Sequence, residues 1–443
     1  MKRPMALVLI PCALLMLLAV SSAAADGNRQ QNAPSGLELP ELIQQAMERN
    51  PAIIAAEKKW QSARDIIEAR RALPDPQVSY TYFVESVETR VGPQENIFGA
   101  KQKFPFFGKR DLKAGVAAKE AEAVKASYEA VKQEVVRQVK LAFYQLFYVS
   151  TIIDITNDEK EILRRFEQIA SVKYETGQGN QQNILKVQVE ISRLQDKLLA
   201  LTGVKQTADA RLNTLLDRPS DKPLGKPVKP KFRDFFFIKQ QLFRIARENR
   251  PELKGGAARI EKSDAMLGLA KKDFYPDLTV GANYIEVDEG PLNFSDNGKD
   301  AFNVMVSINV PIWREKLSAQ VSSASKMIKA QKNAYQNILN RTFFEVEDNL
   351  FKIQTARETV RLYRNVLIPQ AEQSLRSAEA GYVTGTVNFL DLLDAERILL
   401  KIQFGYWQAY TNYLKRIADM ERSVGMELAE VLPAEVPPEV EEE

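Results

Sequence analysis

A mainly α-helical chain with short membrane β-strands, written as two copies of one unit, is the fold class that this 443-residue sequence predicts. Three observations carry it. Prolines, tyrosines and glycines recur in the same order in the two halves, the stretch from Val116 to Thr176 lacks both glycine and proline, and four short segments alternate apolar and polar residues.

The duplication is read from its offsets. "ERNPAIIAAEKKWQSA" at Glu48 aligns with "ENRPELKGGAARIEKS" at Glu248, placing Pro51 and Pro251 200 positions apart. Pro74-Asp75 matches Pro276-Asp277 at 202, Pro105 matches Pro311 at 206, Tyr128 matches Tyr335 at 207, and Tyr174-x-Thr176-Gly177 matches Tyr382-x-Thr384-Gly385 at 208. An offset that only grows is what duplication followed by small insertions leaves behind; chance matches scatter. The expected organisation is a signal segment over 1–25, repeat 1 over 26–218, a Pro/Lys-rich linker over 219–234, repeat 2 over 235–427 and an acidic, Pro-rich tail over 428–443 whose composition predicts disorder.

Each repeat opens with a helical stretch, Leu39 to Ala72 and Ile238 to Lys272. Both are broken at an X-Pro pair, Asn50-Pro51 and Arg250-Pro251, where proline suits a helix start. Strands follow at about 77–87 and 95–104, and at about 277–287 and 300–310. In "FNVMVSINV" the residues Phe302, Val304, Val306, Ile308 and Val310 share one face against Asn303, Ser307 and Asn309. Val78, Tyr80, Tyr82 and Val84 do the same against Gln77, Ser79 and Thr81. Period two over about ten residues is a strand signal, and about ten residues is also the length of a tilted membrane-spanning strand.

The long arms come next. Val124, Tyr128, Val131, Val135, Val139, Ala142 and Leu146 step by four and three, which is coiled-coil spacing, and Tyr335, Ile338, Thr342, Val346 and Ile353 repeat the register. Pro105 to Gly177 spans 72 residues and Pro311 to Gly385 spans 74, whereas the return from each tip to the end of its repeat spans only 40. A helix of the outgoing length extends ~105 Å. A 40-residue return and the opening helix together match it, so each repeat is expected to pair one continuous outgoing helix with two shorter helices stacked end to end. The hairpin tips fall at about 174–183 and 382–391.

Composition excludes several functions. The chain has no histidine, which removes imidazole general-base catalysis and His-ligated zinc, and its net charge of +3 with no basic run argues against a nucleic-acid surface. The start, "MKRPMALVLIPCALLMLLAVSSAAADG", has the basic, apolar and small-residue parts of a cleaved secretory signal, and its removal lowers the net charge to +1. Cys12, the one cysteine, lies inside that apolar run; Pro11 before it and the apolar residues after it disfavour lipidation. No later run of ~18 apolar residues occurs, so entry into a membrane is expected only as β-strands. Four strands cannot close a barrel, and unpaired edges in lipid cost several kcal/mol each, so several chains must pool their strands.

With pooled strands at one end and a helical rod at the other, the sequence resembles the TolC-like outer membrane efflux proteins, the outer membrane factor family. The resemblance rests on "LELPELIQQAMERNP", "ALPDPQVSYTY", "YETGQGNQQNILKVQVEISRLQDKLL", "VPIW" and "GYVTGTVNFLDLLDAERILL" in this order. It implies a homotrimer with a 12-stranded outer membrane barrel, four strands from each chain, above a periplasmic α-helical barrel. It further implies docking on a periplasmic adaptor protein and an inner-membrane pump, with outer membrane lipid around the strands, no cofactor and no enzymatic activity; the lack of histidine, of a cysteine after the signal and of a methionine cluster argues against a high-affinity metal site. "LPDPQ" and "FPFFGKR" look most like the branch that serves RND-type heavy-metal and cation pumps. A type I protein secretion duct and a non-membrane periplasmic coiled-coil scaffold are the alternatives.

Candidate site residues follow from tip geometry and resemblance together. Thr176, Gly177, Thr384 and Gly385 form the turns that would meet the adaptor, although glycine at a turn is also what any helix hairpin uses. Tyr382, Asp391 and Asp394 match positions that close the tube in the family. Repeat 1 has Asn183 and Lys186 where repeat 2 has Asp391 and Asp394, and Val387 stands where some members carry arginine. The expected device is Lys186 of one hairpin pairing with Asp394 of a neighbour; the bland reading is two solvated side chains. Glu345 and Asp348 share a face partway along the rod; they are the candidates for an acidic lumen, with a solvated helical face as the favoured plain reading. Tyr80, Tyr82, Phe98, Phe104, Tyr284 and Phe302 suit an interfacial aromatic girdle, although buried packing would use the same residues.

Overall fold

The computed structural model describes residues 36–428, apart from 292–294. The expected signal segment, Cys12 and nearly all of the expected acidic tail lie outside the described residues. Repeat 1 runs through helices α1 (Leu39–Arg49) and α2 (Pro51–Arg71), strands β1 (Gln77–Thr89) and β2 (Gly92–Phe104), and helices α3 (Lys109–Glu175) and α4 (Gln181–Leu215). Repeat 2 follows the same plan with α5 (Lys239–Asn249), α6 (Pro251–Lys272), β3 (Leu278–Val287), β4 (Ala301–Ile308), α7 (Arg314–Leu362), a π turn (Tyr363–Leu367), α8 (Ile368–Thr384) and α9 (Phe389–Val424).

With 67 residues, α3 is about 100 Å long at 1.5 Å per residue. It carries α2 along one part of its length and α4 along the other, as the length argument requires. The joint between those two shorter helices is chemically sealed. Asn50 is buried there, its Oδ1 accepts the Ala52 N–H that α2 leaves unsatisfied, and its Nδ2 donates to the Leu215 carbonyl at 2.9 Å at the end of α4. The equivalent joint in repeat 2 brings the backbone of Gly425, past the end of α9, against the backbone of Arg250 at the start of α6.

The helices form a wall in the order α2/α4, α3, α6/α9, then α7/α8. The short helices α1 and α5 pack on it near the joints, where Leu42, Ala46, Leu242 and Ala246 enter a core with Val139, Phe143, Leu146, Ile353 and Tyr413. A second apolar cluster, nearer the tips, joins Leu163, Phe166 and Ala170 of α3 to Val187 of α4, Tyr382 of α8 and Phe389, Leu392 and Leu393 of α9.

In one place the structure departs from the expected continuous outgoing helix. The arm of repeat 2 widens into the π turn immediately before Pro369. A proline inside an α-helix lacks its N–H and drives its ring into the carbonyl four residues back, and one π turn relieves that clash without ending the helix. Repeat 1 has no proline in its arm and stays α-helical to the tip.

The four strands form one antiparallel sheet in the order β1-β2-β3-β4, open at both edges. Its register brings like residues together in several rows. Tyr80, Phe98, Tyr284 and Phe302 lie opposite one another across all four strands, and Val78, Ala100, Ala282 and Val304 form the next row on the same face. The other face carries Ser79, Gly99, Asn283 and Asn303 in one row, with an Asn283 to Asn303 side-chain hydrogen bond of 3.0 Å. From the Phe98 row to the row of Phe104, Leu278 and Ile308 is about 20 Å at ~3.4 Å per residue. Val78, Val84 and Phe302 are 82%, 90% and 69% exposed, so in a single chain this apolar face is left bare. Among the described residues, no helix is long and apolar enough to cross a membrane.

Candidate functional site: the hairpin tips and the helical wall

Both tips are built by local backbone chemistry. Gly177 and Gly385 have φ of +74° and +81°, the left-handed region that an L side chain disfavours, and a Cβ at either would meet nothing within 4 Å. Glycine is required by conformation there and not by space. The carbonyls that end α3 are taken up by the Gly177 N–H to Tyr174 O at 3.0 Å and the Gln178 N–H to Lys173 O at 2.8 Å, and Thr176 Oγ1 donates to Val172 O. At the second tip, the Thr386 and Val387 N–H groups donate to Gly381 O at 2.9 and 3.1 Å, and Thr384 Oγ1 lies 3.1 Å from Thr386 Oγ1. Asn180 and Asn388 then cap the returning helices, Asn180 accepting from the Gln182 N–H and Asn388 from Leu390 and Asp391.

Val387 closes its own hairpin. Its Cγ2 lies 2.3 Å from where a Cβ on Gly381 would sit, too close for both, so the valine and the absence of a side chain at 381 are one packing decision. Repeat 1 puts Lys173 at the position equivalent to Gly381, and this lysine joins the two hairpins. Lys173 Nζ donates to the Tyr382 carbonyl at 2.9 Å and stands 4.1 Å from the centre of the Tyr382 ring. The ring packs on Phe389 at 5.3 Å and is buried; desolvation pushes its hydroxyl pKa up. Its counterpart Tyr174 is 48% exposed. Sequence reasoning singled out Tyr382 and passed over Lys173, whose only signal was a charged residue aligned with a glycine of the other repeat.

Asp391 and Asp394 are exposed on the first turns of α9, while Asn183 and Lys186 are half-buried on α4. None of these four makes a side-chain ion pair among the described residues of this chain. The tie between α4 and α9 lies further in, where Glu190 pairs with Arg397 and, at 3.0 Å, with Arg193.

Glu345 and Asp348 are locally neutralised. Glu345 meets Arg250 Nη2 at 2.7 Å and Arg341 Nε at 2.8 Å, and Asp348 pairs with Lys352. Glu345 lines a cavity of about 610 Å³ between α3, α6, α7 and α9, together with Glu134, Arg137, Glu252, Asp419 and Arg422. The opposite side of α7 is covered by α5 through the Phe243–Phe343 ring stack at 4.5 Å. Glu345 is two positions from Phe343, hence about 200° round the helix, so the cavity opens on the wall face away from α5.

The sheet is fastened to the wall through the repeated Pro-Asp motif. Asp277, one residue before β3, accepts from Lys109 Nζ at 2.9 Å and from the Phe106 N–H at 3.0 Å, and Lys103 Nζ lies 3.0 Å from its other oxygen. Burial alone would raise this carboxyl, but the hydrogen bonds from Lys109, Phe106 and Lys103 outweigh it and hold the pKa at about 2. "FPFFGKR" and "YPD" are therefore two halves of one junction.

Known proteins share this plan. The outer membrane efflux protein family matches residues 42–218 and 242–426, one match for each repeat. The cobalt-zinc-cadmium resistance protein CzcC of Cupriavidus metallidurans is 23% identical over 404 residues, covering 89% of this chain and 91% of its own length. The outer membrane protein TolC of Vibrio cholerae is 21% identical over 409 residues, covering 87% and 90%. Among solved structures, CusC superposes with a TM-score of 0.74 at 17% identity over 88% of this chain and 92% of its own. VceC of Vibrio cholerae gives 0.71 at 18% identity over 88% and 96%. The chain belongs to the outer membrane efflux protein family and has the fold of a TolC-like efflux channel.

Proposed function

We propose that this protein is the exit duct of a tripartite efflux system, conducting solutes passively from an inner-membrane pump and its periplasmic adaptor across the outer membrane. The observation that carries the reading is the open four-stranded sheet, apolar on one face and polar on the other, continuous with a helical wall about 100 Å long. A free β1 edge on one chain and a free β4 edge on the next satisfy each other's backbone groups when three chains close a barrel of twelve strands. The apolar rows then face lipid, the rows of Ser79, Asn283 and Asn303 face the channel, and the wall face away from α5 lines the periplasmic lumen. A cleaved signal segment over 1–25 delivers the chain to the periplasm.

The tips are the adaptor-facing end and the constriction. Asp391 and Asp394 are exposed and free of intrachain ion pairs among the described residues, which suits a contact between subunits, with Lys186 of an adjacent hairpin as the proposed partner of Asp394. Tyr174, exposed where Tyr382 is buried, is the tyrosine available to a neighbour. The likeness to CzcC, a cobalt-zinc-cadmium resistance protein, over nearly the full length of both chains supports heavy-metal cations as cargo, with an RND-type pump as the proposed partner. The Glu345 network, whose carboxylates are matched by arginines, supports a balanced lumen more than a cation-concentrating one.

Fractionation and unboiled gel mobility test the duct: an SDS-resistant trimer in the outer membrane is expected, and a soluble periplasmic monomer would overturn it. Deletion followed by growth on zinc, cobalt and cadmium salts, dyes and antibiotics tests the cargo, with selective metal sensitivity expected.

A further inference from the structure

Glu159 of α3 and Glu396 of α9 face each other inside the helical wall, and neither is exposed by more than a twentieth or so: 6% for Glu159 and 2% for Glu396. They sit at the edge of the tip cluster, one turn from Leu163 on α3 and between Leu393 and Leu399 on α9. Two carboxylates in such a place repel each other and lack water, so a cation or a proton must resolve them.

No cation does so among the described residues. On α9, Arg397 is engaged by Glu190 of α4, and Lys401 and Asp394 are exposed. On α4, Arg193 also pairs with Glu190, and Lys197 lies 3.6 Å from the centre of the Phe404 ring. On α3, Lys160 donates to Gln195, while Asp158, Glu161 and Arg164 point to solvent. On α8, Glu372 and Arg376 are exposed. Glu396 Oε2 is buried and accepts no hydrogen bond from any existing donor. A proton on Glu159 would supply that donor.

We propose that Glu159 and Glu396 form a latch closed by one proton carried on Glu159, holding the α3–α9 seam and with it the α8–α9 hairpin, so that acid tightens the tip and alkali loosens it. Burial first, then the neighbouring Glu396, pushes the Glu159 pKa up to about 9. A carboxyl raised on closing contributes stability that is complete below its solvated pKa and is lost as pH rises towards the raised one. Opening therefore becomes easier by up to about tenfold per pH unit from about pH 5 to 9 and levels off above. Cohesion of the seam is independent of what the protein conducts; the consequence for gating rests on the duct reading above.

Hydrogen exchange of the intact trimer in detergent tests the latch. Wild type and the isosteric double variant Glu159→Gln with Glu396→Gln are compared at pH 6 and at pH 8, which cancels the intrinsic pH dependence of exchange. The ratio of wild-type to variant exchange over residues 389–400 is expected to rise by more than tenfold between the two pH values. An unchanged ratio overturns the latch. Glu190→Gln, which removes the neighbouring ion pair, should keep the wild-type response; if it abolishes that response, the seam is held by Arg397 instead. Single-channel recording then separates the two readings. A pH-dependent closed state in wild type and a pH-independent one in the double variant extend the latch to gating, and identical pH profiles restrict it to packing.

Discussion

Lys109 and Asp277 are 168 positions apart in the chain and 2.9 Å apart in space, with the Lys109 side chain 6% exposed. Lys109 also donates to the Tyr275 carbonyl at 3.1 Å and stands 3.5 Å from an Asp273 carboxylate oxygen, so its ammonium is held by one carbonyl and two carboxylates. A buried ion pair of this kind is worth most as a specificity device, because breaking one partner strands the other. Here it fixes where the first residue of α3 stands relative to the start of β3, and hence how the wall meets the sheet.

Asp277→Asn is expected to lower stability by about 2 kcal/mol near neutral pH, the scale set by a carboxyl held well below its ordinary range. The sign follows from a depressed pKa: the contribution is present above the ordinary carboxylate value and is lost as pH falls towards 2. Acid unfolding of the wild type followed by tryptophan fluorescence should show this limb, and the variant should lack it.

At the tips, Gly385→Ala and Gly177→Ala should each cost about 1–2 kcal/mol, because the left-handed conformation is strained for any L side chain although space is free. Gly381→Ala is a different experiment. It adds helix propensity but collides with Val387, so it should destabilise alone and be rescued by Val387→Ala. Thermal melts of the four variants and the double variant distinguish strain from collision.

Lys173→Met keeps the aliphatic stem while removing the hydrogen bond to Tyr382 O and the cation over the ring. A stability loss of about 1 kcal/mol is expected. On the duct reading the closed-state conductance should increase, because the two hairpins of one chain lose the charged link between them.

Val304→Arg places a charge on the apolar face between the Phe98 row and the Phe104 row, whereas Asn303→Arg places the same charge on the polar face. The first should cost ~2–4 kcal/mol, the scale for arginine near the bilayer midplane, and should abolish the SDS-resistant trimer; the second should assemble and alter conductance.

The sequence by itself determined the duplication, the coiled-coil arms, the four alternating segments and the end-to-end stacking of the return and opening helices. These follow from periodicity, proline placement and length, all of which are local or additive along the chain. Tertiary structure alone decided which side chains meet. The π turn before Pro369 was hidden because the length argument runs the outgoing helix straight through that proline, and only the folded arm shows how the backbone widens to accept it. Tyr382 and Tyr174 are identical in the self-alignment and opposite in burial, since only the Tyr382 ring has the Lys173 ammonium over it and Phe389 packed beside it. Glu159 and Glu396 carry no sequence signal at all: each looks like a charged residue on a helix, and only the α3–α9 seam, closing residues 237 positions apart, removes their water.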